Sequence, residues 1–138
     1  MKATIALIIA LITGASFYAS SQNNKLDGKT FRIKLKLIDG KRVEGSTWLE
    51  DELTFKAGSL TPKYMSKHEH FPPAPCEIKV DTASEERTVS FSATHKNNFG
   101  SDIIWEGTIT GDAIKGTAVW TNIHGPRTYS FTGTIKKR

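Results

Sequence analysis

The sequence predicts an all-β domain, an antiparallel up-and-down β-barrel of about eight strands, with a β-sandwich as the alternative. Three observations lead there. From Phe31 onward, apolar residues alternate with polar ones over most of the chain. That period of two marks strands with one face in a core and the other in water. The alternating stretches are evenly spaced and joined by short turn signals, which favours consecutive hairpins. No apolar period of 3.6 residues runs for a useful length beyond the first twenty residues. A chain of 138 residues, 38% hydrophobic and 24% charged, fits one globular domain.

The N-terminus has a different character. Met1-Lys2 is a short positive start, Ile5 to Ile12 is densely apolar, and Ala19-Ser20-Ser21 is small. This order predicts a secretory signal peptide over 1–21 and a mature domain over 22–138. A cut after Ser16 is the alternative. Gly14 and Ser16 interrupt the apolar run, which is short for a spanning helix of about 20 residues. The expectation is an exported protein, periplasmic or secreted, with no membrane span after cleavage. A single cysteine excludes an internal disulfide and any multi-cysteine metal site.

Along the mature chain, Phe31, Ile33, Leu35 and Leu37 alternate with Arg32, Lys34 and Lys36 in a first strand. Asp39-Gly40 is a strong hairpin signal. Residues 41–57 are less regular: Val43 and Trp48 fit one short strand, Leu53 and Phe55 another. Ala57-Gly58-Ser59 reads as a turn into Leu60 to Met65. Residues 66–75 contain three prolines and read as a surface loop, since proline cannot join a sheet interior. Strands resume at Cys76 to Val80, with a turn around Ser84 to Glu86. Val89, Phe91 and Ala93 share the next inner face. Then come Ile103, Trp105, Gly107 and Ile109, followed by Ile114, Gly116, Ala118 and Trp120. Tyr129, Phe131, Gly133 and Ile135 close the series. Turns are expected at Asn97 to Gly100, at Gly111-Asp112 and at His124 to Pro126.

The stretch Trp105-x-Gly107-Thr108-x-Thr110-Gly111-Asp112-x-Ile114-x-Gly116-Thr117-Ala118-x-Trp120 resembles a pattern in small secreted bacterial proteins with calycin-like, or lipocalin-like, barrels. Leu26-Asp27-Gly28-Lys29-Thr30-Phe31 is similar to their opening strand. Residues 26–37 and 102–136 carry the resemblance. It implies that a small apolar molecule binds inside the barrel, and it implies no catalytic residues.

The inner faces themselves support a hydrophobic ligand, because they offer almost no polar partner. The expected lining is Phe31, Ile33 and Leu35 on the first strand, then Phe91, Trp105 and Gly107. Gly116, Trp120, Tyr129 and Phe131 complete it. Gly107, Gly116, Gly133, Ala93 and Ala118 lack side-chain bulk, which predicts a cavity. The alternative function is a protein-interaction or inhibitor module without a cavity, using loop 66–75 and an exposed Trp48.

Other chemistry finds little support. His68 and His70, two apart, would share a face in an extended segment, but two ligands are fewer than zinc requires. Cys76 lacks the local signature of a catalytic nucleophile. Glu50-Asp51-Glu52 and Glu85-Glu86 read as solvated acids near turns, unlike the facing carboxylates of a glycosidase. Arg32, Lys34 and Lys36 form a basic stripe without the exposed aromatics of nucleic-acid binders. No phosphate-loop, nucleophile-elbow or dinucleotide motif occurs. The sequence therefore predicts no enzyme, no cofactor, no metal and no nucleic-acid partner.

Overall fold

A computed structural model describes residues 26–40, 48–81 and 88–137. The proposed signal peptide, Val43 and the turn at 84–86 lie outside the described residues. The order is β1 (Lys29–Asp39), β2 (Trp48–Lys56), β3 (Ser59–Pro62), α1 (Lys63–Glu69), β4 (Ala74–Asp81), β5 (Thr88–Lys96), β6 (Asp102–Thr110), β7 (Ala113–Asn122) and β8 (Gly125–Ile135). The eight strands pair antiparallel with their sequence neighbours, and β8 returns to β1 to close a barrel. The barrel, not the sandwich, is the fold.

Closure follows from the alternation. In β1, Phe31, Ile33 and Leu35 are buried, while Arg32, Lys34 and Lys36 between them are exposed. Residues opposite each other on paired antiparallel strands project to one side. Phe31 faces Leu53 and Ile135, and Leu35 faces Leu49 and Phe131, so one apolar face runs round the wall. On the outer face the register sets Arg32 against Glu52 and Lys34 against Glu50. Lys136 and Lys63 also reach Glu52, at 2.9 and 3.7 Å. Arg32 and Lys34 of the basic stripe are therefore matched by acids on the neighbouring strand, while Lys36 lies opposite Trp48.

Three expectations change. Residues 48–56 form one strand rather than two short ones, because Leu49, Asp51, Leu53 and Phe55 keep a single phase. Ala57-Gly58 turns the chain with positive φ at both residues (53° and 77°), the geometry of a two-residue hairpin. After it, Leu60 to Met65 is not one strand, and 66–75 is not all loop. β3 stops at Pro62, residues 63–69 are helical, and Ala74-Pro75 already belongs to β4. Pro62 in β3 and Pro75 in β4 border this weakest seam, where only Ser59↔Pro75 and Leu60↔Ala74 pair.

Helix α1 needs an outside cap, since Pro62 at its N-cap position has no capping side chain. Asp51 of β2 supplies it. Its Oδ1 accepts the backbone N–H groups of Glu52 and Tyr64 at 2.7 and 2.6 Å, and its Oδ2 accepts that of Met65 at 3.4 Å. At the other end, Asn97 Nδ2 donates to the Glu69 carbonyl at 2.8 Å. Met65 and Phe71 drop into the core beneath.

Asp51 is thus a buried structural carboxylate rather than a solvated acid. Burial pushes its pKa up from 3.8 to about 6, although the three backbone donors pull the other way. A folded-state pKa above the unfolded one means that the folded chain holds the proton longer. Stability is then greatest below about pH 4 and falls as pH rises to about 6, by roughly 3 kcal/mol for this group. The expected result is that Asp51→Asn removes most of this slope, measured as urea midpoints between pH 4 and 7.

Candidate functional site

The barrel interior divides into two zones. In the lower zone a relay of rings fills the space. Phe31 packs on Phe55 at 5.9 Å between centroids, Phe55 on Phe91 at 5.2 Å, and Phe91 on Phe131 at 6.5 Å. Trp105 continues the relay, edge-on to Phe131 at 5.6 Å. The glycines belong to this packing. A Cβ on Gly107 would lie 2.8 Å from Phe91 Cζ, and one on Gly116 would lie 2.8 Å from Phe131 Cζ. The volume that the glycines release is taken by neighbouring rings, so it does not become the expected cavity. Phe31, Ile33, Leu35, Phe91 and Phe131 are core residues packed on one another.

The upper zone is different. It lies toward the end where α1, the β5–β6 turn and the β7–β8 turn sit. The register aligns His95, Ile103, Trp120 and Arg127 in one inward row, with Ala93, Trp105, Ala118 and Tyr129 in the row below. Ala93 and Ala118 alternate with the two large aromatics of the lower row. At this end, the mouth beside α1, Leu37, Leu49 and Trp120 are only partly buried, as Val89 and Ile135 are at the opposite end.

Several polar groups collect in this zone. His95 is fully buried, and its Nε2 lies 2.8 Å from the Leu60 carbonyl. A carbonyl can only accept, so Nε2 carries the proton and Nδ1 is left as an acceptor. Burial holds the His95 pKa below the usual histidine value, despite the bond to Leu60. Among the described residues, Nδ1 has no hydrogen-bond partner. The same is true of the buried indole nitrogens of Trp105 and Trp120. Buried polar atoms are normally satisfied, and each exception calls for an explanation. Arg127 is also buried; its guanidinium lies 5.3 Å from the Trp120 ring centroid. The Tyr129 phenol lies near its positive charge, and burial raises the phenol's pKa.

The structure therefore sets Trp105, Trp120 and Tyr129 on adjacent inward rows and adds two residues that the sequence reading did not place inside, His95 and Arg127. The signal was present. His95 is in phase with Phe91 and Ala93, and Arg127 with Tyr129 and Phe131. Their polar side chains suggest solvent, whereas their phase places them inside.

Other candidates separate. His68 lies in α1 and His70 takes a left-handed conformation just after it, so the extended geometry that would align them does not form. Among the described residues, no three histidine, cysteine, aspartate or glutamate side chains gather as a metal site. Cys76 is buried on the inward face and its thiol is pushed up to about 12, chiefly by burial, so it stays protonated at neutral pH. Trp48 is exposed as expected, with the Lys36 ammonium 5.6 Å from its ring centroid. A groove of about 740 Å³ lies outside the barrel between α1 and the outer wall, lined by Arg32, Lys34, Glu50, Glu52, Lys63 and Lys67 among others. Its opposite charges face one another across β1 and β2.

No family model, no curated protein and no solved structure matches this chain.

Proposed function

We propose that the protein is an exported, non-catalytic β-barrel that binds a small, mainly apolar molecule at the mouth of the barrel. One observation carries this reading: among the described residues, Trp105 Nε1, Trp120 Nε1 and His95 Nδ1 are buried without hydrogen-bond partners, on adjacent inward rows. Leaving such groups unmet costs about 1–3 kcal/mol each, and a bound molecule that meets them recovers part of that cost. The aromatic walls and the partly exposed Leu37 and Leu49 suit an apolar body. The resemblance of residues 26–37 and 102–136 to calycin-like secreted barrels points the same way. The site is smaller than the sequence suggested, because the ring relay occupies the lower barrel.

A second reading has its own support. Ile38, Trp48, Phe99 and Ile123 are exposed apolar residues, and all of them belong to the mouth end of the barrel. Phe99 also packs near His70, at 5.5 Å between ring centroids. Such a rim suits a protein partner that docks through the 66–75 segment and its neighbours.

Titration with decanol, followed by tryptophan fluorescence, tests the first reading. The expected result is a saturable change that Ala118→Leu weakens, because that substitution adds bulk between Trp105 and Tyr129. An unchanged spectrum at tens of micromolar decanol would leave the rim-docking reading as the better one.

A further inference from the structure

We propose that the groove outside the barrel, between α1 and the outer wall, binds a short acidic oligosaccharide whose sugar units carry carboxylates. This site is separate from the mouth and does not depend on the binding function proposed above.

The groove has a wall and a floor. Lys63, Tyr64, Lys67 and His68 form the wall, and their spacing puts them on one face of α1. The floor is the outward face of β8, β1 and β2. The register sets it in two rows, Thr134, Arg32 and Glu52 in one, Thr132, Lys34 and Glu50 in the other. Each row runs from hydroxyl to cation to acid. A volume of about 740 Å³ lies within the usual size of a small-molecule site.

Cations outnumber the acids that face them. Three gather on Glu52: Lys136 at 2.9 Å, Lys63 at 3.7 Å, and Arg32 opposite it in the register. The Asp51 carboxylate is taken up by the backbone N–H groups of Tyr64 and Met65. Among the described residues, Lys34, Lys67 and Glu50 form no ion pair. The Lys63 side chain is 72% exposed, and exposed ion pairs are weak, so a ligand carboxylate competes for it readily. Charge complementarity therefore favours an anion.

Glu50 narrows the class of anion. It only accepts hydrogen bonds, and it stands beside Lys34 in the floor. A ligand anionic throughout would set like charge against it. A ligand that also carries hydroxyl donors would bond to it. Tyr64 and His68 add a pair of rings with centroids 4.4 Å apart, tilted by 34°. Such side chains offer an apolar body beside a polar tip. An acidic sugar matches all of these features. Its carboxylate suits Lys34, Lys67 and Arg32, its hydroxyls suit Glu50 and the two threonines, and its C–H face suits the rings.

Calorimetry on the full chain at pH 7.5 and low salt tests this with three probes: tetragalacturonate, the neutral tetragalactose of the same linkage, and tetraglutamate. Both acidic probes are ionised at this pH. Tetragalacturonate should bind saturably, about tenfold more tightly than either of the others. Lys34→Gln and Lys67→Gln, both at exposed positions, should each weaken it about threefold. Tyr64→Leu should weaken it as well. Lys79→Gln makes the same change of charge at an exposed position on β4 and should leave the affinity unchanged. Equal binding of tetraglutamate would overturn the sugar selection. A loss at Lys79→Gln equal to that at Lys34→Gln would overturn the placement in the groove. No saturable binding of tetragalacturonate would overturn the proposal as a whole.

Discussion

Replacing Trp105 by alanine will lower the free energy of unfolding by about 3–5 kcal/mol, the range for deleting a buried aromatic side chain. Trp105 is fully buried and ends the ring relay edge-on to Phe131. Its loss removes the packing above Phe131 and opens a hole that Ala93 and Ala118 are too small to fill. Trp120, only partly buried, will show a smaller loss than Trp105. Glu106, the next residue along β6, points outward and will tolerate alanine within about 0.5 kcal/mol. Denaturant midpoints of the three variants give the comparison. Equal shifts at 105 and 106 would contradict the inward assignment of Trp105.

Adding one methyl group at Gly116 or Gly133 will be nearly as costly. Neither glycine needs an unusual backbone angle, so the effect is purely one of space. At Gly116 a Cβ would run into the Glu106 carbonyl oxygen and lie 2.6 Å from Gly107 Cα and 2.8 Å from the Phe131 ring. At Gly133 it would meet the Arg32 carbonyl oxygen and lie 2.8 Å from Ile33 Cγ2. Overpacking of this kind costs about 1–3 kcal/mol and more where the obstacle cannot yield. Here the obstacle is the backbone of a paired strand, which places both substitutions at the upper end. Gly116→Ala and Gly133→Ala should therefore lower the urea midpoint strongly, whereas Thr117→Ala, at an exposed neighbouring position, should not. A neutral Gly116→Ala would show that the Glu106 carbonyl and the Phe131 ring yield more than their packing indicates.

These two cases also show what the sequence could carry. Alternation alone located β1 and β5 to β8, because each of those strands has a single phase and ends in recognisable turn residues. The same rule placed Trp105 and Phe131 inside correctly. It could not say that Gly107 and Gly116 exist to admit two rings, since a missing side chain reads the same whether the space is empty or occupied from across the barrel. Helix α1 escaped detection for a different reason. Seven residues are too few for an apolar period, and its cap comes from Asp51 on another strand rather than from the local sequence. Asp51, His95 and Arg127 share one lesson. Each sits in phase with apolar neighbours and is buried, Asp51 and His95 with hydrogen bonds to distant segments and Arg127 over the Trp120 ring. Period two identified the face, but only the folded barrel supplied the partners.

The central claim is that a small molecule enters the mouth and meets the indoles of Trp105 and Trp120. The indole N–H resonances in a nitrogen–proton correlation spectrum test it directly, because the chain has three tryptophans and the third, Trp48, is exposed on β2. On titration with decanol, the Trp105 and Trp120 signals should shift downfield and saturate together as their N–H groups gain an acceptor, while Trp48 stays in place. Movement of Trp48 alone, or no movement of the two buried indoles at saturating probe, would contradict the account.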